Sequence, residues 1–334
     1  MSQAAQHVLV YDVGGSHVSA AVCAGKTYEL RGLSRAPLPA DGPSPFSASS
    51  FKRLIHTLGE AAAHSAGMEV GEIAGASLAM PGPFDYENGI SKMQHKLQSL
   101  YNVDLKGGLA KRFGWEPGKV RFVNDAAAFT LGEVGAGAAK GFDKAIGITL
   151  GTGIGCAFAA HGRIAIPSDQ PGGDPGVPPG GEIWNLSYAG STVEEFVSTR
   201  FLRGQYQKLT GVEAEVSAIA SAAKGDEPCP ELEAMVAAKA VTKTTPSYDP
   251  NDAHCRARQA FLEFGRNLGL VLNEHAAAFH PDVVVLGGGI ARASALFLPA
   301  TRKALNFATK IAISTLMDEA PLAGAGVHWF NTGD

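Results

Sequence analysis

The sequence predicts an α/β protein built as two domains, and three observations point there. Apolar β-prone runs alternate with segments whose apolar residues recur at helical spacing, the pattern of α/β folds. A strand–glycine turn–strand unit occurs twice, at VLVYDVGGSHVSAAV (8–22) and AIGITLGTGIGCAFA (145–159). The chain's 334 residues exceed what one small core holds and suit two domains.

After the first hairpin, residues 32–50 are rich in Pro, Ser and Gly and read as loop. From Phe51 to Ser65, helical spacing places Phe51, Leu54, Ile55, Leu58 and Ala62 on one face. Residues 73–79 read as a short buried strand ending in Met80-Pro81-Gly82-Pro83. Ligands of open α/β sheets bind at that end of a strand. Leu105 to Phe113 reads as helix and 120–123 as strand, and Asn124-Asp125 opens a helical run through Glu133. After the second hairpin, residues 164–181 form a loop dense in Pro, Gly and Asp, a length uncommon without function. Residues 192–209, 231–240 and 253–279 read as helices, the last with the apolar stripe Phe261, Phe264, Leu268, Val271 and Leu272. The strand 282–286 runs into Gly287-Gly288-Gly289. Beyond the hairpin no short repeat occurs, which excludes a solenoid.

Composition narrows the function classes. With 45% hydrophobic and 18% charged residues, the chain is an ordinary globular one rather than disordered. A net charge of −4 with scattered Lys and Arg gives no electrostatic case for nucleic acid or an anionic membrane. Cys23, Cys156, Cys229 and Cys255 form no CxxC pair, which argues against a disulfide scaffold or structural zinc site. No secretory signal or membrane-spanning run is visible, so a cytoplasmic protein with reduced thiols is expected.

Each chemical candidate has a plain structural reading beside it. Asp12-Val13-Gly14-Gly15-Ser16 could be a simple hairpin turn. The carboxylate at the strand end gives the turn a second use, holding Mg²⁺ while backbone N–H groups bind phosphate. Gly151-Thr152-Gly153 offers the same donors without a carboxylate, and the glycines are expected to turn the chain through φ > 0. Two such turns across a cleft would clamp a polyphosphate, although no Walker loop is present. Asn124-Asp125 is an ordinary helix cap by residue type, and Asp125 could also take a proton from an attacking hydroxyl. Glu182 and Glu194 read as surface charge, or as carboxylates accepting from a sugar's vicinal hydroxyls. Gly287 to Gly289 reads as a turn into a helix, or as backbone open to an adenosine.

The ordered segments DVGGS, MPGPFDYENG, VNDAAAFTLGE, ITLGTGIGCAF, GGEI and VVVLGGGIA resemble the ROK family of sugar kinases over nearly the whole chain. The resemblance implies an actin-like ATPase fold: a duplicated ribonuclease-H-like unit, with ATP in the interdomain cleft. It implies a small domain of 1–123 with 317–334 and a large one of 124–316. It also implies ATP and Mg²⁺ as cofactors, a small-molecule sugar as partner, and a homodimer. Asp125 is then the catalytic base acting on a hexose 6-hydroxyl, with Gly82, Asn124, Glu182, Asn185 and Glu194 at the sugar. Asp12 would hold Mg²⁺; Gly14, Gly15, Ser16, Gly151, Thr152 and Gly153 would bind phosphates, and Gly287, Gly288 and Gly289 the adenosine.

Three departures from the family pattern matter. The family's GEIGH motif reads GEIWN here, with Asn185 in place of a histidine that helps bind sugar and zinc. The Cys-rich zinc segment is missing, so no zinc is expected. His17 stands where many members carry lysine. The expectation is a glucokinase. The alternatives are a kinase for fructose, mannose, allose or an N-acetylhexosamine, polyphosphate as donor, or a non-catalytic sugar-binding regulator. Family repressors carry an N-terminal helix-turn-helix, for which the first strand at Val8 leaves no room.

Overall fold

Two sheets with one strand order organise the chain, whose computed structural model describes residues 6–39, 46–94, 97–224 and 253–332. The first half runs β1 (His7–Val13), β2 (His17–Ala24), β3 (Glu29–Pro37), α1 (Ala48–Ser65) and β4 (Ala76–Met80). A small hairpin, β5 (Phe84–Asp85) and β6 (Ile90–Ser91), then leads through α2 (Leu105–Phe113) and β7 (Val120–Asn124) to α3 (Asp125–Ala136). The second half runs β8 (Lys144–Leu150), β9 (Ile154–Ala160), β10 (Arg163–Ile164), the hairpin β11 (Ser187–Tyr188) and β12 (Ser191–Thr192), α4 (Thr199–Thr210) and α5 (Val216–Ala222). It continues with α6 (Ala253–His275), β13 (Val283–Gly287), α7 (Ser294–Ala304), β14 (Lys310–Ile313) and α8 (Ala320–Asn331).

The large sheets are ordered β3-β2-β1-β4-β7 and β10-β9-β8-β13-β14. In each, three antiparallel strands come first along the chain, and two further strands then add in parallel beside the first of them. The unit duplicated in the sequence is therefore larger than the hairpin: it is the whole sheet.

Local chemistry starts and stops the helices as the sequence suggests. The Ser47 hydroxyl accepts from the Ser50 N–H to open α1. Asp104 accepts from Gly107 to open α2, and Gly114 closes it at φ 71°. Buried on both faces, β1 needs an unbroken apolar run. Leu9, Tyr11 and Val13 join Phe51, Ile55 and Leu58 of α1 in the core, where the Tyr11 hydroxyl donates to the Ile55 carbonyl at 3.1 Å. Phe261, Phe264, Leu268, Val271 and Leu272 of α6 are all buried.

The chain divides into two compact units. The first is Met1–Asp143, Ala159–Ile164 and Ser314–Asp334; the second is Lys144–Phe158 and Ala165–Ile313. The sequence-based boundary at 123/124 falls within β7, which lies with α3 inside the first unit. Small residues hold α3 there. A side chain on Gly324 of α8 would run into the Ala128 carbonyl, and one on Gly132 into that of Ala320.

Some elements differ from expectation. Part of the expected loop 32–50 is strand: β3 pairs with β2 along Glu29–Pro37. Its residues alternate between exposed and half-buried, so this edge strand lacks the hydrophobic signal of a core strand. The helix expected from 192 begins at Thr199, because Val193–Glu195 makes a separate tight turn that buries Val193. Helix α6 ends at His275, before a tight turn over Ala277–Phe279. The helix expected at 231–240 and Cys229 lie outside the described residues. No described helix is long and apolar enough to cross a membrane.

Candidate active site

In the first unit, β1, β4 and β7 run parallel, with Asp12 beside Ala79 and Met80 beside Asn124. Asp12, Gly82 and the pair Asn124-Asp125 therefore leave the sheet at one edge, on adjacent strands spaced about 4.8 Å apart. Burial is the main cause that pushes the Asp12 carboxyl up to about 7. The Asp125 charge adds to it, Arg35 opposes it, and Asp318 gives a smaller push.

The glycine turn beside Asp12 is closed by the Gly14 N–H donating to the His17 carbonyl at 3.0 Å. Ser16 Oγ lies 3.1 Å from His17 Nδ1, and His17 Nε2 lies 3.0 Å from Arg35 Nη2. Arg35 Nε also donates to Ser19 Oγ at 3.2 Å, which fixes the guanidinium over the hairpin. Burial and the Arg35 charge hold the His17 imidazole below its ordinary range, against an opposing pull from Asp318.

Asn124 does two jobs. Its Oδ1 accepts from the Ala127 N–H at 3.0 Å as the cap of α3, and its Nδ2 donates to Tyr86 Oη at 3.1 Å. Tyr86 donates in turn to the Met80 carbonyl at 3.2 Å, joining the ends of β4 and β7. Asp125 is the first residue of α3, and its Oδ1 accepts from the Ala126 N–H at 2.8 Å. The turn carrying Asp318 is tied to the far end of α3 by buried Glu133. That carboxylate accepts from the Ala138 N–H at 2.7 Å, the Leu316 N–H at 3.3 Å and the Ser314 hydroxyl.

In the second unit, the Gly151–Gly153 turn ends β8 and the Gly287–Gly289 run ends its parallel neighbour β13, with Gly287 beside Thr149. Gly288 sits at φ 81°, and a Cβ there would meet the Leu150 carbonyl at 2.5 Å, so both backbone and packing require glycine. The hairpin-turn glycines do not use φ > 0: none of Gly14, Gly15, Gly151 and Gly153 is in the left-handed region. At Gly15 and Gly151 a Cβ would meet nothing within 4 Å, so neither backbone conformation nor packing requires glycine there, and the backbone is uncovered on that side. Gly153 instead makes room for the Glu194 carboxylate.

Glu194 Oε2 accepts from the Ile154 N–H at 3.2 Å, and the Glu194 N–H donates to the Trp184 carbonyl at 3.0 Å. Arg200 approaches Glu194 at 3.6 Å and pairs with Glu195. The Trp184 indole donates to Glu182 Oε2 at 2.5 Å. Glu182, Glu194 and the second glycine turn thus form one cluster, while Asn185 is exposed beside Trp184.

These donors suit a magnesium–nucleotide. Mg²⁺ keeps several waters and takes one or two carboxylates with phosphate oxygens rather than a closed protein cage. Asp12, crowded by burial and by Asp125, gains from a bound cation. Among the described residues no group of three or more His, Cys, Asp or Glu could hold a metal by itself. Sequence reasoning passed over Arg35, Tyr86, Asp318 and Trp184. Arg35 fell in an expected loop and Asp318 far from any motif. Tyr86 and Trp184 lie inside the segments MPGPFDYENG and GEIWN, where an aromatic residue carries no spacing signal of its own.

The ROK family model matches residues 9–327. The glucokinase of Thermotoga maritima is 28% identical over 339 residues, covering 94% of this chain and 94% of that protein. The ROK hexokinase from Thermus thermophilus has a similar structure, with a TM-score of 0.70 at 23% identity over 96% of this chain and 97% of the other. The ROK family glucokinase from Streptomyces griseus, in complex with glucose and AMPPNP, gives 0.63 at 20% identity, covering 96% of this chain and 97% of that one. These likenesses show the fold, the actin-like ATPase one, as the repeated strand order already indicates.

Proposed function

The chain belongs to the ROK family, and on that premise we propose that it transfers the γ-phosphoryl group of ATP to the 6-hydroxyl of a hexose, glucose first among them. The observation that carries the reading is the meeting of Asp12, Gly82, Asn124 and Asp125 at the C-terminal ends of three adjacent parallel strands. Phosphoryl transfer needs positioning, charge neutralisation and a group to take the nucleophile's proton, rather than covalent chemistry by the protein.

Asp125 has the base's role in this reading: its carboxylate accepts the proton of the attacking hydroxyl. Asp125 is the first residue of α3, and its bond to the Ala126 N–H fixes its orientation. Gly82, Asn124, Glu182, Asn185 and Glu194 bind the sugar, the carboxylates accepting from its hydroxyls. Gly14, Gly15, Ser16, Gly151, Thr152 and Gly153 donate to phosphate, Gly287 to Gly289 lie against the adenosine, and Asp12 holds Mg²⁺. Bound with ATP, Mg²⁺ supplies charge neutralisation on the phosphate oxygens.

The test is ADP release by the purified chain with MgATP and a panel of glucose, mannose, fructose, allose and N-acetylhexosamines, with polyphosphate as the second donor. Turnover of a hexose supports the reading. Sugar-dependent thermal stabilisation with no turnover replaces it by a regulator. Exposed Asn185 beside Trp184 favours a second reading, a kinase whose preferred acceptor is another sugar of the panel, and the ranking of kcat/KM decides between them. A homodimer is proposed from family likeness alone, and sedimentation checks it.

A further inference from the structure

We infer that Trp184 is a hexose-binding residue, whose indole N–H fixes the Glu182 carboxylate and whose exposed ring face receives the C–H face of the sugar. The inference rests on the hexose kinase reading above.

Trp184 joins the two carboxylates assigned to the sugar. Its indole donates to Glu182 Oε2 at 2.5 Å, and its carbonyl accepts the Glu194 N–H at 3.0 Å. Adjacent Ile183 is 1% exposed and anchors the segment, yet the tryptophan itself is 42% exposed. Folding does not require this arrangement. An indole at the surface can donate to water, and an exposed ring contributes little to the core. The bond is better explained by what it does to Glu182. It holds one carboxylate oxygen in place, and a carboxylate has acceptor capacity for sugar hydroxyls as well.

A pyranose presents hydroxyls around its rim and C–H groups on its faces. A carboxylate with an aromatic surface beside it meets both kinds of group, the composition of small-molecule sites generally. The acceptor class that follows is a hexopyranose with a flat C–H face, favoured over ketohexoses that react as furanoses.

Tryptophan emission tests this without catalysis. The chain has three tryptophans. Trp115 stacks on Phe113 with ring centroids 4.4 Å apart. Trp329 is 7% exposed and lies under the Arg121 guanidinium. Glucose, mannose and N-acetylglucosamine are titrated against wild type and Trp184→Phe without nucleotide. A saturable emission change in the wild type that is absent from Trp184→Phe is the expected result.

In steady state with MgATP, Trp184→Ala should raise the hexose KM about tenfold, the loss of a charge-assisted hydrogen bond together with a ring face. In the same variant kcat should stay within about twofold and the ATP KM should not move, because the indole acts on bound sugar and transition state alike. Trp184→Phe, which keeps a ring without the N–H, should recover part of the loss. An emission change that persists in Trp184→Phe overturns the inference. So does an unchanged hexose KM in Trp184→Ala while the wild type turns sugar over, and in both cases the kinase reading survives. A wild type that neither binds nor phosphorylates any hexose overturns both.

Discussion

The two copies of the sheet carry the same glycine turn in opposite chemical settings. In the first, Asp12 stands two residues before Gly14; in the second, Thr149 stands two residues before Gly151. The first turn is surrounded by charge: Asp125, Arg35 and Asp318 act on Asp12, and Arg35 and Asp318 act on His17. The second has no carboxylate of its own and receives one from outside the hairpin, when Glu194 reaches the Ile154 N–H. Duplication thus supplied the backbone, and a few residues near each turn separated the roles. Burial sharpens the difference, because charge near the first turn is costly unless a cation or proton offsets it.

The comparison can be broken at several points. The largest effect is expected at Asp125, for which the second copy's turn has no counterpart. Asp125→Asn should lower kcat by about 10²–10⁴-fold, the usual worth of a positioned base, with the hexose KM nearly unchanged. Near wild-type turnover would remove Asp125 as the base. Next come Asp12 and Thr149 as a pair. Asp12→Asn should lower kcat/KM for MgATP by about tenfold or more, as loss of a charged contact does, and Thr149→Ala by much less. Equal effects would mean that the copies do not divide the work as proposed.

The third difference lies in the helix layer. His328 of α8 is held down to about 4, chiefly by burial and then by the Arg121 charge, against a favourable bond to the Phe122 backbone. Above pH about 6.5 the ring is neutral in both states and costs nothing. As pH falls from about 6.5 towards about 4, the unfolded chain takes up a proton that the folded chain refuses, so stability is lost by up to about 3 kcal/mol. Denaturant midpoints at about pH 5 and pH 7.5 should differ less in His328→Gln than in the wild type, an expectation that rests on this linkage. An equal difference would show that this ring does not set the acid response.

The smallest effect expected is at the cap of α3. Asn124→Ala should cost about 1 kcal/mol of stability and Asn124→Asp much less, read from the same midpoints. Both should weaken hexose binding, because either change removes the Nδ2 donor that now reaches Tyr86.

Much of the fold was legible because its signals are local. Helix α2 spans Leu105–Phe113 as its spacing predicts, and Asn124-Asp125 opens α3 because the cap chemistry is carried by neighbouring residues. Strand β3 was missed because an exposed edge strand needs no apolar pattern. The glycines of the hairpin turns were expected to turn the chain through φ > 0 and to let backbone N–H groups approach a ligand, and the first of these does not hold. Their φ angles are ordinary, and packing calls for glycine only at Gly153, where a Cβ would meet the Glu194 carboxylate.

By itself the sequence determined the α/β class, the paired glycine turns and the residue types able to hold phosphate, metal and sugar, because periodicity and cap chemistry act over a few residues. Only tertiary structure decided which charges share an environment. Strand register sets Asp12 and Asn124-Asp125 on one edge, β3 brings Arg35 over the first turn, and the turn before α8 carries Asp318 towards Asp12. It also joined Trp184 to Glu182 and Glu194. Electrostatic and hydrogen-bond energies depend on separation in space and on burial, and neither is encoded by distance along the chain.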